Sequence, residues 1–161
     1  MQKGDQLMKK TYKYAALALF ALSALAITAF TFQNSSHSAA LTMKFVNLFE
    51  RVHFHFTGTI VAWWPVYHMM RKFAHTIEYF FLGLTACFLF TVWGSKHYAG
   101  WALATSATWS LIDQTSKLRV PGREFDPTDF PFDIAGYLLG IGLAWVLTKT
   151  LPMAKVKISN N

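Results

Sequence analysis

Residues 14–32, YAALALFALSALAITAFTF, carry no charged side chain. As a helix rising about 1.5 Å per residue, the run reaches roughly 28 Å, the thickness of a bilayer's hydrocarbon core. In lipid every backbone polar group must be satisfied from within, so a helix is the structure this run permits. A cleaved signal peptide has a shorter apolar region, about 7–15 residues. The run is longer and further apolar runs follow it, so we read it as a retained span.

The rest of the chain agrees. It is 53% hydrophobic and 14% charged, where a soluble domain carries about 25% charged residues. The net charge of +7 would suit a polyanion, but the bases gather at the ends of apolar runs, as in membrane proteins. That pattern excludes nucleic acid as a partner. Cys87 lies in an apolar run and is the sole cysteine, so there is no disulfide framework. We read it as a packing residue rather than a reactive thiol.

After the first span, residues 33–51 are polar and Ser-rich. Leu41, Phe45, Leu48 and Val52 recur at helical spacing, which predicts a short amphipathic helix at the membrane surface. Residues 52–70 have no acid, Lys or Arg. Gly58, Pro65 and three histidines argue against an ordinary crossing, and Trp63, Trp64 and Tyr67 suit the headgroup belt. The reading is an interfacial or re-entrant segment. Arg71 and Lys72 then open a long helix, a turn follows at 94–100, and residues 99–112 form a shorter span. Residues 132–148 make the last one.

The fold class expected is therefore all-α, a polytopic membrane bundle of four transmembrane helices plus an interfacial or re-entrant segment. Residues 1–13 form an N-terminal tail, 14–149 the transmembrane domain, and 150–161 a C-terminal tail. With both tails cytoplasmic, the inner segments hold Lys3, Lys9, Lys10, Lys13, Lys96, Lys149, Lys155 and Lys157, with Asp5 the only acid. Basic clusters beside the first and last spans favour that orientation in the bacterial cytoplasmic membrane.

Two constellations put charge into this apolar chain. In residues 71–83, RKFAHTIEYFFLG, Arg71, His75 and Glu78 fall on one helix face. Glu78 sits roughly 10 Å along the helix from Arg71. A carboxylate at that depth faces the bundle interior and needs a base or a proton. It is then either an acid/base group or one half of a salt bridge to Arg71 or Arg123. A metal site from His75, Glu78 and an aspartate lacks a second close histidine, so no metal and no cofactor are expected.

The second constellation is DQTSKLRVPGREFDPTDFPFDIAGYLLG, residues 113–140. Ser106, Ser110 and Asp113 recur on one face of the third span, and Lys117 extends it by one turn. Pro121-Gly122 is a turn dipeptide. Asp129 before Pro131 suits a helix start, with Asp133 one turn deeper. Gly136 and Gly140 form GxxxG, a face for close helix contact and a route to a homo-oligomer. Arg71 and Arg123 suit a phosphate or carboxylate through forked hydrogen bonds. Lys117, Asp129 and Asp133 complete a binding pocket for an anionic headgroup, in which Glu78, Asp113 and His75 are the candidate acid/base residues. A charged cluster that only locks helices together is the competing reading.

The block Arg71, Lys72, His75, Glu78, Tyr79, Leu82 and Gly83 resembles the RK-x-x-H-x-x-E-Y-x-x-L-G pattern of the VanZ-like family of bacterial membrane proteins. Asp113, Pro121, Gly122, Arg123, Asp129 and Gly136 are similar to its second block, and the likeness covers roughly residues 14–147. Gln114 stands where the family has Glu, Lys117 where it has Gln, and Asp133 where it often has Asn. The resemblance implies a cell-envelope protein with a link to teicoplanin-type antibiotic resistance. The expected partners are membrane lipids, a lipid-linked envelope precursor or a glycopeptide, bound in an outward-facing pocket. The alternatives are a membrane-embedded acid/base enzyme acting on such a precursor, and a small oligomeric transporter.

Overall fold

A computed structural model describes residues 2–150, with side chains from residue 10 onward. The described residues are all-α. The helices are α1 (Gln2–Thr31), α2 (Ser35–Thr57), α3 (Trp63–Val92), α4 (Tyr98–Lys117) and α5 (Phe130–Thr150), with a short 3-10 turn at Pro127–Asp129 leading into α5. The expected C-terminal tail, with Lys155 and Lys157, lies outside the described residues apart from Thr150. Of the N-terminal tail, residues 2–13 already belong to α1.

Three helices are long and apolar enough to cross a membrane, over Lys10–Thr31, Trp63–Val92 and Pro127–Thr150. The short α4 is not among them, although it runs antiparallel to α3 from the turn at 93–97. The cause is its inner face. Ser106, Ser110, Asp113, Gln114 and Lys117 are buried, while Trp101, Leu103, Leu111 and Ile112 point outward. These buried polar residues lower the average, and the exposed Thr108 and Thr115 add to that.

The segment 52–70 is not a separate interfacial element. Residues 52–57 finish α2, Gly58 ends it in the left-handed conformation at φ 67°, and Trp63 starts α3. Glycine adopts that conformation without steric cost. Pro65 does not break α3, because it falls in the first turn, where its missing N–H has no partner to lose. The long helix thus begins eight residues before Arg71, and α2 runs six residues past the expected amphipathic stretch. Asn34 caps α2 by accepting from the His37 N–H at 2.9 Å. The stripe Leu41, Phe45, Leu48 and Val52 stays exposed, and Val46 is buried.

The core joins Ala24 and Ile27 of α1, Tyr79, Leu82, Ala86 and Cys87 of α3, Ala102 of α4, and Tyr137, Ile141 and Ala144 of α5. The most extensive contact is α3 against α5. Glycines allow it. A Cβ on Gly136 would meet the Thr76 carbonyl and the Phe80 nitrogen at 3.1 Å. One on Gly140 would meet the Phe80 carbonyl and the Leu84 nitrogen at 2.8 Å, and one on Gly83 the Tyr137 carbonyl and its Cα at 2.8 Å. The GxxxG face is therefore taken up inside the chain, against α3. Small residues of this kind let helix backbones approach closely in a membrane.

Candidate functional site

The end of α1, the start of α3, the end of α4 and the start of α5 meet at one end of the bundle, and the charges gather there. His75 sits at the centre. Its Nε2 lies 3.3 Å from Asp129 Oδ2 and 3.5 Å from Lys117 Nζ. Its Nδ1 lies 3.5 Å from Asp133 Oδ1 and 3.9 Å from Glu78 Oε2. A doubly protonated ring would face an aspartate on each side. A neutral ring protonated on Nδ1 would donate towards Asp133 and accept from Lys117 at Nε2.

Lys117 ties α4 to α5. Its ammonium donates to Asp129 Oδ2 at 3.0 Å and to Gln114 Oε1 at 2.9 Å, and lies 3.9 Å from Asp113 Oδ2. Asp113 in turn accepts from the Thr31 hydroxyl, which docks the last turn of α1 onto α4. Asp133 accepts from Ser110 at 2.7 Å and from the Gln114 amide at 3.3 Å. Lys72 reaches across to Thr128 Oγ1 at 2.8 Å and to Asp129 Oδ1 at 3.5 Å.

Arg71, Lys72, Lys117 and Arg123 thus stand against Glu78, Asp113, Asp129 and Asp133 around His75. Isolated charges cost several kcal/mol each to bury, and only a paired network of this kind makes such depth tolerable. Satisfaction is incomplete. His75 Nδ1, Asp133 Oδ1, the Tyr79 hydroxyl and the Ser106 hydroxyl are buried without a well-formed hydrogen bond.

Next to this network lies a cavity of about 330 Å³, lined by Ser35, Ser38, Arg71, Lys117, Gly122 and Arg123, with the acids Glu124 and Asp126 also in its wall. The Pro121-Gly122 turn shapes it. Gly122 has φ 74° and lies so close to α2 that a Cβ there would stand 2.7 Å from Ser35 Oγ. Arg123 follows and comes over the start of α3. Burial first, and then the neighbouring Arg71 guanidinium, push the Arg123 guanidinium below its ordinary pKa, against the pull of Asp113, Glu78 and Asp129. Among the described residues, neither Arg71 nor Arg123 has an ion pair.

All eight sequence-derived site residues come to this end of the bundle. Their pairing differs from expectation in one respect. Glu78 has no ion pair with Arg71 or Arg123 among the described residues and lies beside His75 instead. Helix geometry explains this: Arg71 is two turns away, whereas His75 is one turn away and on the same face. Thr31 and Gln114 were missed as site residues. A hydroxyl at the end of an uncharged run gives no signal in the sequence. Gln114 read as a lost acid, yet its amide serves both Lys117 and Asp133.

A family model described as VanZ/LLP1 matches residues 18–148. Among curated proteins and solved structures, none matches the chain. The matched span runs from the first membrane helix to the last and contains every residue of the site.

Proposed function

On the premise that this chain belongs to the VanZ/LLP1 family, we propose that it binds an anionic headgroup in the cavity between Arg71 and Arg123. The carrier of that headgroup is a membrane lipid, a lipid-linked envelope precursor or a glycopeptide. One observation carries the reading. Two guanidiniums line the same 330 Å³ cavity without a carboxylate partner among the described residues, while every other base of the cluster has one. Forked donors of this kind match the oxygens of phosphate or carboxylate, and an anion between them would relieve their mutual repulsion. In this reading the cavity opens at the outer face of the bacterial cytoplasmic membrane, α4 is the fourth crossing, and both termini are cytoplasmic. A contribution to teicoplanin-type resistance would follow from holding an envelope component at that face.

The test is binding of inorganic phosphate and glycerol phosphate to the purified protein, read as thermal stabilisation. Arg123→Gln and Arg71→Gln should each abolish it while leaving the unliganded melting temperature nearly unchanged. Equal stabilisation of the wild type and both variants would refute the site.

A second reading is an acid/base enzyme, favoured by His75 between Asp129 and Asp133, behind the Lys117 that lines the same cavity. An imidazole so placed has the reach to take a proton from one side and return it from the other. Comparison of envelope lipids from cells with the wild type and with His75→Gln would separate the readings, since a binder leaves no new lipid species.

A further inference from the structure

The cavity that holds Arg71 and Arg123 has walls of both signs. Glu124 and Asp126 line the same 330 Å³ as the two guanidiniums, with Phe125 between them in the chain. Among the described residues, no ion pair joins either acid to either guanidinium. The third base in the wall, Lys117, is already engaged, 3.0 Å from Asp129 and 3.9 Å from Asp113. Asp126 is held in place through one oxygen, Oδ1, which accepts from the Thr128 N–H at 2.9 Å and the Thr128 hydroxyl at 2.7 Å. Its Oδ2 has no partner among the described residues. Glu124 is exposed and its carboxylate is likewise without a partner there. Two cations and two anions thus face one small space without neutralising one another.

We infer that the anion bound at Arg71 and Arg123 carries a primary ammonium, which Glu124 and Asp126 receive, so that the ligand is a zwitterionic aminoalkyl phosphate headgroup. The inference rests on the headgroup reading above and names its substrate class. A purely anionic group would be drawn by the guanidiniums and opposed by both carboxylates. A zwitterion is drawn by all four, which is the complementarity that selects one partner over others of similar size. Forked guanidinium donors suit the phosphate oxygens. A primary ammonium brings three N–H donors and no acceptor, and so matches two carboxylates with free oxygens. A quaternary ammonium brings the charge without a donor. Phe125 offers apolar surface to the short carbon bridge between the two charges. Ser35 and Ser38 of α2, across the cavity, add hydroxyls that can donate to phosphate or accept from the ammonium.

Three soluble phosphates separate the parts of this ligand. Phosphoethanolamine, ethyl phosphate and phosphocholine are titrated against the purified full-length protein and its Glu124→Gln, Asp126→Asn and Arg123→Gln variants. Ethyl phosphate is phosphoethanolamine without its amine, and phosphocholine keeps the charge but has no N–H. Glu124 is exposed and bonded to nothing among the described residues, so Glu124→Gln leaves the fold intact. Asp126→Asn keeps a side-chain oxygen for Thr128 and with it the cap. The expected result is that phosphoethanolamine binds the wild type about fivefold more tightly than either other phosphate, the scale of ion pairs this exposed. Glu124→Gln and Asp126→Asn should each shrink that advantage while binding ethyl phosphate at least as tightly as the wild type does. Arg123→Gln should abolish binding of all three. If phosphoethanolamine and ethyl phosphate bind alike, or the advantage survives in both acid variants, the zwitterion inference falls and the headgroup reading stands. If phosphocholine gains as much as phosphoethanolamine, the primary ammonium is overturned. If none of the three binds, the headgroup reading itself is lost.

Discussion

The Lys117 ammonium lies 3.0 Å from the Asp129 carboxylate, and both side chains are almost closed to solvent. This pair fastens the end of α4 to the turn that starts α5, and it does so beside the cavity rather than within a dry core. Removing Lys117 would take from the buried Asp129 carboxylate its closest cation, leaving it Lys72 at 3.5 Å and His75 at 3.3 Å, and from the buried Asp113 its ion-pair partner. Lys117→Met should therefore destabilise the protein by about 3–5 kcal/mol. The double variant Lys117→Met with Asp129→Leu should recover much of that loss, since it removes both charges. Unfolding curves in detergent for the two singles and the double give the coupling. Additive losses would mean that the pair contributes little.

The contact between α3 and α5 makes a different demand. Gly140→Ala would drive a methyl into the Phe80 carbonyl and Leu84 nitrogen, both backbone atoms. Backbone has nowhere to go without parting the helices, so the expected cost is about 1–3 kcal/mol. Gly142→Ala is the control. A Cβ there meets nothing within 4 Å, and it should be neutral or stabilise the helix by a few tenths to about 1 kcal/mol. Thermal melting of the two variants side by side checks the difference.

The two constellations were legible because charge in an apolar chain is conspicuous, and because helical spacing fixed which residues share a face. Arg71, His75 and Glu78 on one side, and Asp113 with Lys117 on the other, needed only periodicity and an uncharged background. The start of α3 was not legible in the same way. Pro65 reads as a break unless one knows that Trp63 begins the helix, and that depends on Gly58 ending α2. The partners within the site were also hidden. Whether Lys117 pairs with Asp113, its neighbour one turn away, or with Asp129, twelve residues on, is decided by how α4 meets α5. Nothing local to either helix specifies it.

The 3-10 turn before α5 is held by Asp126, whose carboxylate accepts from the Thr128 N–H at 2.9 Å and its hydroxyl at 2.7 Å. The Thr128 hydroxyl is the main reason that the Asp126 carboxyl is held below its ordinary pKa. A carboxyl depressed in the folded state contributes stability that is full above its unfolded pKa, near 4, and fades as pH falls through the folded value. Asp126→Ala should cost about 0.5–2 kcal/mol at neutral pH, as for a lost helix cap. The difference in melting temperature between variant and wild type should then shrink below about pH 4. A difference that stays constant to pH 2 would show that the cap acts through something other than its charge.

The placement of the site also fixes which loops share a side of the membrane. Ser35 lies against Gly122 at the charged end, and Thr128 is bonded to Lys72 there. Ser95 sits in the turn between α3 and α4, at the far end of both helices. Cysteines placed singly at 35 and 128 should react with a membrane-impermeant thiol reagent from the same side, and one at 95 only from the other. The native Cys87 is fully buried and should give no background. The proposed orientation makes 35 and 128 external and 95 internal, since the bases flanking the first and last spans favour the cytoplasm. Labelling of 95 from outside intact cells would invert that orientation and put the cavity at the cytoplasmic leaflet. Labelling of 35 and 128 from opposite sides would do more damage, because no bundle that joins Ser35 to Gly122 allows it.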